Sequence, residues 1–216
     1  MIEVLPSILV KTPEEFESLV RRLEPYTDRV HLDIADGILV PNKTIDGYRE
    51  LMEIDTRLKF DVHLMVQKPS EHLDEWLNTR ADRYFVHAEA DHDLKNCIYQ
   101  FKNHMKEVGL VFNPETEPDT AKELVDMVDY VQFMAVHPGF YGAKFLDEVV
   151  GKISKFHSEN PNYKIVVDGG ITNETAPKVI SAGASILISG SYVVNSPDIR
   201  KAIEELKFSS KSEAIG

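Results

Sequence analysis

Hydrophobic and polar positions follow two alternating patterns along the chain. Short runs rich in β-branched and other apolar residues recur roughly every 20 to 35 residues, which is typical of strands in βαβ units. The segments between these runs carry apolar residues three and four positions apart, which indicates amphipathic helices. The pattern predicts eight strands, at Ile2–Leu9, Arg29–Ala35, Leu58–Val66, Tyr84–Ala88, Gly109–Phe112, Tyr130–Val136, Lys164–Asp168 and Ser185–Ser189.

Helix-start signals support this alternation. In "TPEEF", Thr12 is the predicted N-cap, Pro13 takes the first helical position and Glu15 completes a capping box. Ser196 and Pro197 repeat the signal before "DIRKAIEEL", so we expect the last helix to begin there. Strands and helices therefore alternate from the first unit to the last.

Eight strand–helix units, with no linker between them, predict a single-domain (β/α)₈ TIM barrel over residues 1–208. Residues 209–216, "SSKSEAIG", are expected to form a flexible tail. The first strand is not followed by GxGxxG, which argues against a doubly wound dinucleotide-binding sheet. Active sites of such barrels lie at the C-terminal ends of the strands. Polar residues at strand ends are therefore the candidates for chemistry.

The charge balance limits the partners of this chain. It carries 24 Lys and Arg residues against 36 Asp and Glu residues, a net charge of −12, which disfavours nucleic acids and anionic membranes. A small anionic ligand would therefore have to be held locally, by backbone amides or a metal. No apolar run approaches the roughly 18 residues of a membrane span. The lone cysteine, Cys97, excludes an internal disulfide. These features predict a cytoplasmic protein.

Two imidazoles and two carboxylates stand near the ends of three predicted strands. His31 and Asp33 share a face of the second strand, His63 lies on the third and Asp168 closes the seventh. Each alone is explained by a hydrogen bond to a buried neighbour. Together they would place two carboxylates in one barrel mouth, which is costly unless a cation compensates them. Mixed nitrogen and oxygen ligands suit Zn, Fe(II), Mn or Co. The residues alone leave both interpretations open.

Glycine-rich segments follow the last three predicted strands. They are "HPGFYGAKF", "DGGI" and "ISGSY". Barrels commonly bind phosphate on the loops after strands seven and eight, where glycine lets backbone amides approach the anion. The alternative is that each glycine only serves a tight turn. Their placement on consecutive loops favours a phosphate cradle that includes Gly139, Gly142, Gly169, Gly170 and Gly190.

Other residues at strand ends have a simpler interpretation. His87 and Glu89 end the fourth strand and are expected to pack in a polar layer. Met65 and Met134, at the ends of the third and sixth strands, are of the residue type that usually fills gaps in an apolar core. None of these four residues by itself indicates a functional site.

Assembled in order, these segments resemble the ribulose-phosphate 3-epimerase family over nearly the whole chain. The matching pieces are "PSIL", "HLDIADGILVPN", "DVHLMV", "HAE", "MAVHPGFYGAKF", "VDGGI" and "ISGSY". The resemblance implies a (β/α)₈ barrel of the ribulose-phosphate-binding type that interconverts D-ribulose 5-phosphate and D-xylulose 5-phosphate by proton transfer at C3 through a metal-stabilised enediolate. It also implies a phosphorylated ketose as partner and permits a homo-oligomer.

The resemblance further assigns roles to individual residues. It implies one divalent ion held by His31, Asp33, His63 and Asp168, with Asp33 and Asp168 as the acid/base pair. It implies a substrate-binding set consisting of Ser7, His63, Met65, Met134, Gly139, Phe140, Tyr141, Gly142, Gly169, Gly170, Gly190 and Ser191.

Two positions depart from the family pattern. Ala35 stands where the family usually has a methionine over the reacting carbons, and Tyr141 stands where glycine is usual. We expect a gap in the apolar wall of the site unless Ile38, Leu39 or Tyr141 fills it. These departures bear on which ketose is preferred.

Three alternative functions follow. One is an epimerase of the same mechanism for another phosphorylated ketose, such as allulose 6-phosphate. A second is a decarboxylase or aldolase, disfavoured because Ala35 and Ile38 stand where its Asp-x-Lys-x-x-Asp motif would need lysine and aspartate. A third is a non-catalytic phosphate-binding relative, which would not need both Asp33 and Asp168.

Overall fold

A closed barrel of eight parallel strands forms the centre of the molecule. The computed structural model describes residues 2–91 and 93–209, so the predicted tail lies outside the described residues except for Ser209. The strands pair in chain order and β1 pairs with β8 to close the ring. The strands are β1 Glu3–Ile8, β2 Arg29–Ala35, β3 Lys59–Met65, β4 Arg83–His87, β5 Glu107–Phe112, β6 Tyr130–Met134, β7 Lys164–Asp168 and β8 Ile186–Ser189.

The strand prediction is confirmed for all eight strands. The bounds of β2 and β7 are as expected, and the other bounds differ by one or two residues at the strand ends. A β-strand in a barrel turns one set of alternate residues inward and the other set towards the helices. Both faces of each strand are therefore covered, and this explains why the eight strands appear in the sequence as short apolar runs.

Helices surround the barrel, as the helical spacing predicts. They are α1 Pro13–Leu23, α2 Tyr48–Glu53, α3 Leu73–Leu77, α4 Leu94–Asn103, α5 Lys122–Val125, α6 Glu148–Glu159, α7 Ala176–Ser181, α8 Ser191–Val194 and α9 Ile199–Phe208. The predicted start of α1 is confirmed, since the Thr12 hydroxyl accepts from the Glu15 amide at 3.2 Å and Pro13 is the first helical residue. The predicted capping box is wrong, because the Glu15 carboxylate accepts from the Lys11 amide at 2.9 Å rather than from Thr12.

The predicted start of the last helix is wrong. Asp198 caps α9, and its carboxylate accepts from the Lys201 amide at 2.9 Å. The Ser196 hydroxyl instead donates to the Asp198 carbonyl at 2.9 Å and forms the turn before the helix. A carboxylate at the positive end of the helix dipole makes a charge-assisted hydrogen bond, so it is the stronger of the two caps.

The apolar core has two layers. The larger one lies between the strands and the helices and contains Phe16, Val20 and Leu23 of α1. The smaller one lies inside the barrel and includes Phe85 and Val166. None of the helices in the described ranges combines the length and apolar character that crossing a membrane would require.

Charged side chains close the N-terminal end of the barrel. The Asp61 carboxylate is buried and accepts from Arg29 at 2.6 Å, and Arg83 lies 3.5 Å away. Asp61 shares its strand face with His63, but it belongs to this opposite end of the barrel. The polar residues of β3 thus serve two ends of the molecule, and only His63 and the residues beyond it reach the mouth.

Candidate metal and substrate site

The strand register brings the four predicted metal ligands together. Asp33 of β2 lies beside His63 of β3 in the sheet, and His31 lies beside Ser7 of β1. Asp168 ends β7. Because these residues point inward from strands that close into one ring, their side chains converge at the C-terminal mouth.

The distances define a compact cluster. The Nδ1 atom of His63 lies 2.9 Å from Asp33 Oδ1 and 3.4 Å from Asp168 Oδ2. The Nε2 atom of His31 lies 3.9 Å from an oxygen of each aspartate. One ligand atom from each of the four residues falls within 4.8 Å of all the others. All four residues are buried.

His31 provides the test of whether a metal fits this cluster. Its side chain is fully buried, and within the described part of the chain neither ring nitrogen has a hydrogen-bond partner. Burial lowers the pKa of His31 to about 3, so the ring is neutral and offers a lone pair. A buried, unpaired imidazole beside two carboxylates is costly without a cation and is the ligand set that borderline divalent metals prefer. The residues therefore fit a divalent ion.

The electrostatics of the cluster are strongly coupled. Burial opposes the charged form of His63, but hydrogen bonds with Asp168 and Asp33 raise its pKa to about 9. Burial, together with the nearby charge of Asp168, raises the pKa of Asp33. An aspartate held in this way is a stronger base than an exposed one, which is a property that proton transfer requires.

A cavity of about 360 Å³ opens beside the two aspartates. No lysine or arginine is among its described lining residues. His31 and His63 do not line it, and they contact the aspartates that do. The structure places around this cavity Ser7, Asp33, Met65, Met134, Gly139, Phe140, Tyr141, Gly142, Asp168, Gly169, Gly170, Gly190 and Ser191.

Two of the glycines are required by the local geometry. Gly169 has a φ of +99°, and a Cβ there would overlap the Val136 side chain. A Cβ at Gly190 would overlap the ring of Tyr141 and approach the Ser7 hydroxyl. Both positions let the backbone come close to the cavity, which a phosphate cradle made of amides needs.

The tyrosine that replaces the usual glycine ties two loops together. The Tyr141 hydroxyl donates to the Ser7 carbonyl at 2.8 Å and accepts from the Leu9 amide at 2.9 Å. Its ring lies against Gly190. The loop after β6 is thereby attached to the end of β1 across the cavity.

The gap expected at Ala35 is filled. Ala35 is buried in an apolar cluster with Val40 and Met65, and Leu39 packs against it. Ile38 is 75% exposed and takes no part. Of the three residues expected to fill the gap, Leu39 does so, and Val40 joins it. The loop after β2 therefore folds back over the strand ends.

Sequence reasoning missed several residues at this site. The Gln132 amide nitrogen lies 3.4 Å from Asp168 Oδ2, and Gln132 is fully buried. A polar residue inside the apolar run "YVQFM" was the available signal. Thr172, Glu174 and Thr175 also line the cavity. They follow the glycine pair in a loop with no pattern that would have singled them out.

His87 and Glu89 are connected to the cluster. The two Nε2 atoms of His63 and His87 lie 2.9 Å apart, and His87 Nδ1 lies 3.1 Å from a Glu89 oxygen. Burial lowers the pKa of His87. Burial opposes the Glu89 charge, yet hydrogen bonds with His87 and Thr116 hold the pKa of its carboxyl below the usual value. The expected polar layer is thus an extension of the site.

The fold and this cluster together define a barrel enzyme with its candidate active site at the C-terminal mouth. A family model described as the ribulose-phosphate 3 epimerase family matches residues 3–194. The chain belongs to this family, whose named members are isomerases.

Curated relatives match over 79% to 99% of their length. The ribulose-phosphate 3-epimerase of Bacillus subtilis (strain 168) is 37% identical over 214 residues, covering 96% of this chain and 99% of the relative. The enzyme of the same name from Synechocystis sp. is 32% identical, with 98% and 96% covered. The chloroplastic ribulose-5-phosphate-3-epimerase of Arabidopsis thaliana is 36% identical, with 99% and 79% covered.

Solved structures share the fold at low sequence identity. The structure of KGPDC from Streptococcus mutans superposes with a TM-score of 0.74 at 11% identity, covering 100% of this chain and 99% of that one. The 3-hexulose-6-phosphate synthase from Salmonella typhimurium gives 0.70 at 15% identity, with 96% and 98% covered. These likenesses concern the barrel alone.

Proposed function

We propose that this chain is a metal-dependent epimerase that interconverts D-ribulose 5-phosphate and D-xylulose 5-phosphate by proton transfer at C3. The observation that carries the proposal is the placement of Asp33 and Asp168. These aspartates come from different strands, line the same cavity and each contact His63. Two carboxylates that reach one substrate from different strands can act on its two faces.

The reaction needs a base and an acid in that arrangement. The proton at C3 lies next to a ketone and is removed from one face, while a proton is returned to the other face. One aspartate takes the first proton as a carboxylate, and the other delivers its proton as a carboxylic acid. The raised pKa of Asp33 suits it to hold a proton between turnovers. The two aspartates exchange roles in the reverse direction.

The cluster would hold one divalent ion through His31, Asp33, His63 and Asp168, with Zn, Fe(II), Mn or Co as the fitting metals. When bound, such an ion supplies a Lewis acid that stabilises negative charge on the substrate oxygens. His31 contributes a neutral nitrogen and is held by its burial among the strands.

The phosphate of the substrate would lie against the loops after β7 and β8. Gly169, Gly170, Gly190 and Ser191 line the cavity, and their backbone amides would be the donors to the phosphate. Because no cationic side chain is among the described lining residues, amides and hydroxyls have to hold the anion. The net charge of −12 makes such local recognition necessary.

Apolar side chains would exclude water from the reacting carbons. Met65 and Met134 are buried and line the cavity. The cluster of Ala35, Val40 and Met65 supports this wall. Excluding water strengthens electrostatic stabilisation of the developing charge.

The test is proton exchange in deuterated water. The purified chain, loaded in turn with Zn, Fe(II), Mn or Co, is incubated with D-ribulose 5-phosphate, and proton NMR follows loss of the C3 proton and appearance of D-xylulose 5-phosphate. We expect both with at least one metal. Absence of exchange with all four metals would contradict the proposal and leave an epimerase for another ketose or a non-catalytic relative.

A second candidate is an epimerase for another phosphorylated ketose, such as allulose 6-phosphate. Two observations favour it. Ala35 packs with Val40 against Met65 where the family usually has a methionine, and the Tyr141 hydroxyl joins the loop after β6 to the end of β1. A panel of phosphorylated ketoses in the same exchange assay separates the candidates by kcat/KM. Cytoplasmic location and a homo-oligomeric state stay predictions.

A further inference from the structure

A series of hydrogen-bonding groups, buried as far as His87 and half-buried at Glu89, runs from the metal cluster of His31, Asp33, His63 and Asp168 to the loops after β4 and β5. It passes from Asp33 to His63, from His63 to His87 and from His87 to Glu89, with contacts of 2.9, 2.9 and 3.1 Å. The two imidazole rings are stacked, with centroids 5.0 Å apart and planes 13° from parallel. Glu89 ends the series by accepting the Asn113 amide at 2.9 Å.

When Glu89 is ionised, the protons in this hydrogen-bonded series can be assigned in one way between Glu89, His87 and the Nε2 atom of His63. A carboxylate only accepts, so His87 must donate to it from Nδ1. A neutral His87 then has a bare Nε2 atom, which accepts. The contact of 2.9 Å between the two Nε2 atoms therefore requires the proton to be on His63. Nδ1 of His63, which faces Asp33 and Asp168, is then the nitrogen that is free to bind a metal once the metal displaces the proton that it shares with the aspartates.

We propose that His87 and Glu89 are positioning residues that hold His63 in the tautomer with its Nδ1 lone pair directed at the metal cluster. The inference rests on the proposed function only in that the cluster holds a metal. Neither residue is a member of that cluster, and neither lines the cavity. They act through His63, whose orientation and tautomer they set.

The opposite assignment shows why this matters. If Glu89 were a donor, His87 would carry its proton on Nε2 and His63 on Nδ1. In that case the proton on Nδ1 would be the only one on the His63 ring. A metal could bind Nδ1 only if this proton moved to Nε2, which would break the hydrogen bond between the two histidines. Partners that orient a metal-binding histidine are commonly worth a factor of about 10 to 100 in metal affinity.

The first test reads the tautomers directly in the unaltered protein. Long-range proton–nitrogen NMR on the ¹⁵N-labelled, Zn²⁺-loaded chain distinguishes a protonated ring nitrogen from a bare or metal-bound one. We expect His63 to carry its proton on Nε2 and His87 on Nδ1. A proton on Nε2 of His87, or on Nδ1 of His63, would overturn the inference.

The second test replaces the acceptor Glu89, at the end of the hydrogen-bonded series, with a donor. In Glu89→Gln, the side-chain oxygen still accepts from the Asn113 backbone amide. The NH₂ group of the glutamine then faces His87 Nδ1 and donates to it. We expect Zn²⁺ affinity, measured by competition with a chelator, to fall about 10- to 100-fold. Glu115→Gln is the matched control, because Glu115 also pairs with a histidine, His137, at 3.1 Å, but both side chains are well exposed. Equal affinities in the two variants would overturn the inference.

A pair of substitutions at His87 separates hydrogen bonding from packing. In His87→Gln an amide oxygen can still accept from His63 Nε2, whereas His87→Phe retains a stacked ring without an acceptor. We expect the glutamine variant to bind Zn²⁺ several-fold more tightly than the phenylalanine variant, with circular dichroism confirming that both fold. Equal loss in both would contradict a role in fixing the tautomer.

These tests are independent of the reaction. If the tautomers and Zn²⁺ affinities are as expected but no C3 exchange occurs, the proposed function fails and the inference stands. If exchange occurs but Glu89→Gln binds Zn²⁺ as tightly as Glu115→Gln, the inference fails and the proposed function stands.

Discussion

The hydroxyl of Tyr141 donates to the backbone carbonyl of Ser7 at 2.8 Å, joining residues 134 positions apart. The same hydroxyl accepts from the Leu9 amide. Tyr141, in the loop after β6, thereby forms hydrogen bonds with backbone groups at the end of β1, and its ring packs against Gly190. Tyr141 therefore connects the loop after β6 to the end of β1 beside the cavity, which both Ser7 and Tyr141 line.

Tyr141→Phe tests this connection. The variant keeps the ring and loses two hydrogen bonds, each worth about 0.5–1.5 kcal/mol. We expect KM for the ketose phosphate to rise by about 3- to 30-fold, with a smaller change in kcat, because loop closure rather than proton transfer is affected. Steady-state kinetics provide the measurement. Tyr163→Phe, which removes a hydrogen bond to Val125 at a distance from the cavity, is the control. A fall in kcat at constant KM would assign Tyr141 to the chemistry.

Removing the metal should inactivate and destabilise the protein. A metal present at 100 times its dissociation constant contributes about 2.7 kcal/mol, which corresponds to roughly 5–10 °C in Tm for a chain of this size. We expect a chelator to abolish activity and lower Tm by that amount, and His31→Ala to reduce the metal content. Elemental analysis and thermal unfolding are the measurements. Full activity in protein verified to be metal-free would refute a metal-dependent reaction.

Replacing either aspartate should stop epimerisation. Asp33→Asn and Asp168→Asn each remove one proton carrier, so we expect turnover to fall by about 10²- to 10⁴-fold. Metal content has to be measured in the same samples because both residues belong to the cluster. Asp119→Asn, at an exposed position paired with Lys155, is the matched control. Normal turnover by either metal-loaded variant would remove that residue from the acid/base pair.

Restoring the usual methionine at position 35 should destabilise this chain. Ala35 already packs against Val40 and Met65, so a larger side chain is overpacked. We expect Ala35→Met to lower the free energy of unfolding by about 1–3 kcal/mol, as measured by urea denaturation. The double variant Ala35→Met, Val40→Ala, should recover part of the loss. An Ala35→Met variant as stable as the parent would show that the cluster has free space.

Cys97 should be inert in the native state. Its side chain is fully buried, and burial raises the pKa of the thiol to about 12. Only the thiolate reacts readily, so we expect negligible labelling by a disulfide reagent at pH 7 and complete labelling in urea. Rapid stoichiometric labelling of the folded chain would show that α4 opens locally.

The sequence by itself determined the barrel and the convergence of His31, Asp33, His63 and Asp168 at its mouth. Apolar runs at βαβ spacing defined eight strands, because a strand covered on both faces has to be apolar along its length. Alternation placed His31 and Asp33 on one face, and the rule that barrel sites lie at strand ends brought in His63 and Asp168. These results follow from local periodicity, which is visible in the order of the residues without knowledge of the fold.

Tertiary structure alone decided the contacts between distant loops. The closing of the gap at Ala35 by Val40 and the attachment of Tyr141 to Ser7 depend on how loops fold over the mouth. The link from His63 through His87 to Glu89 depends on how β3 and β4 pair and on the start of the loop after β4. No periodicity governs such contacts, because loop paths follow from turn geometry and packing rather than from a repeating pattern. A histidine at the end of a strand gives the same sequence signal whether it fills a polar layer or orients a metal ligand. Only its neighbours in space distinguish these two roles.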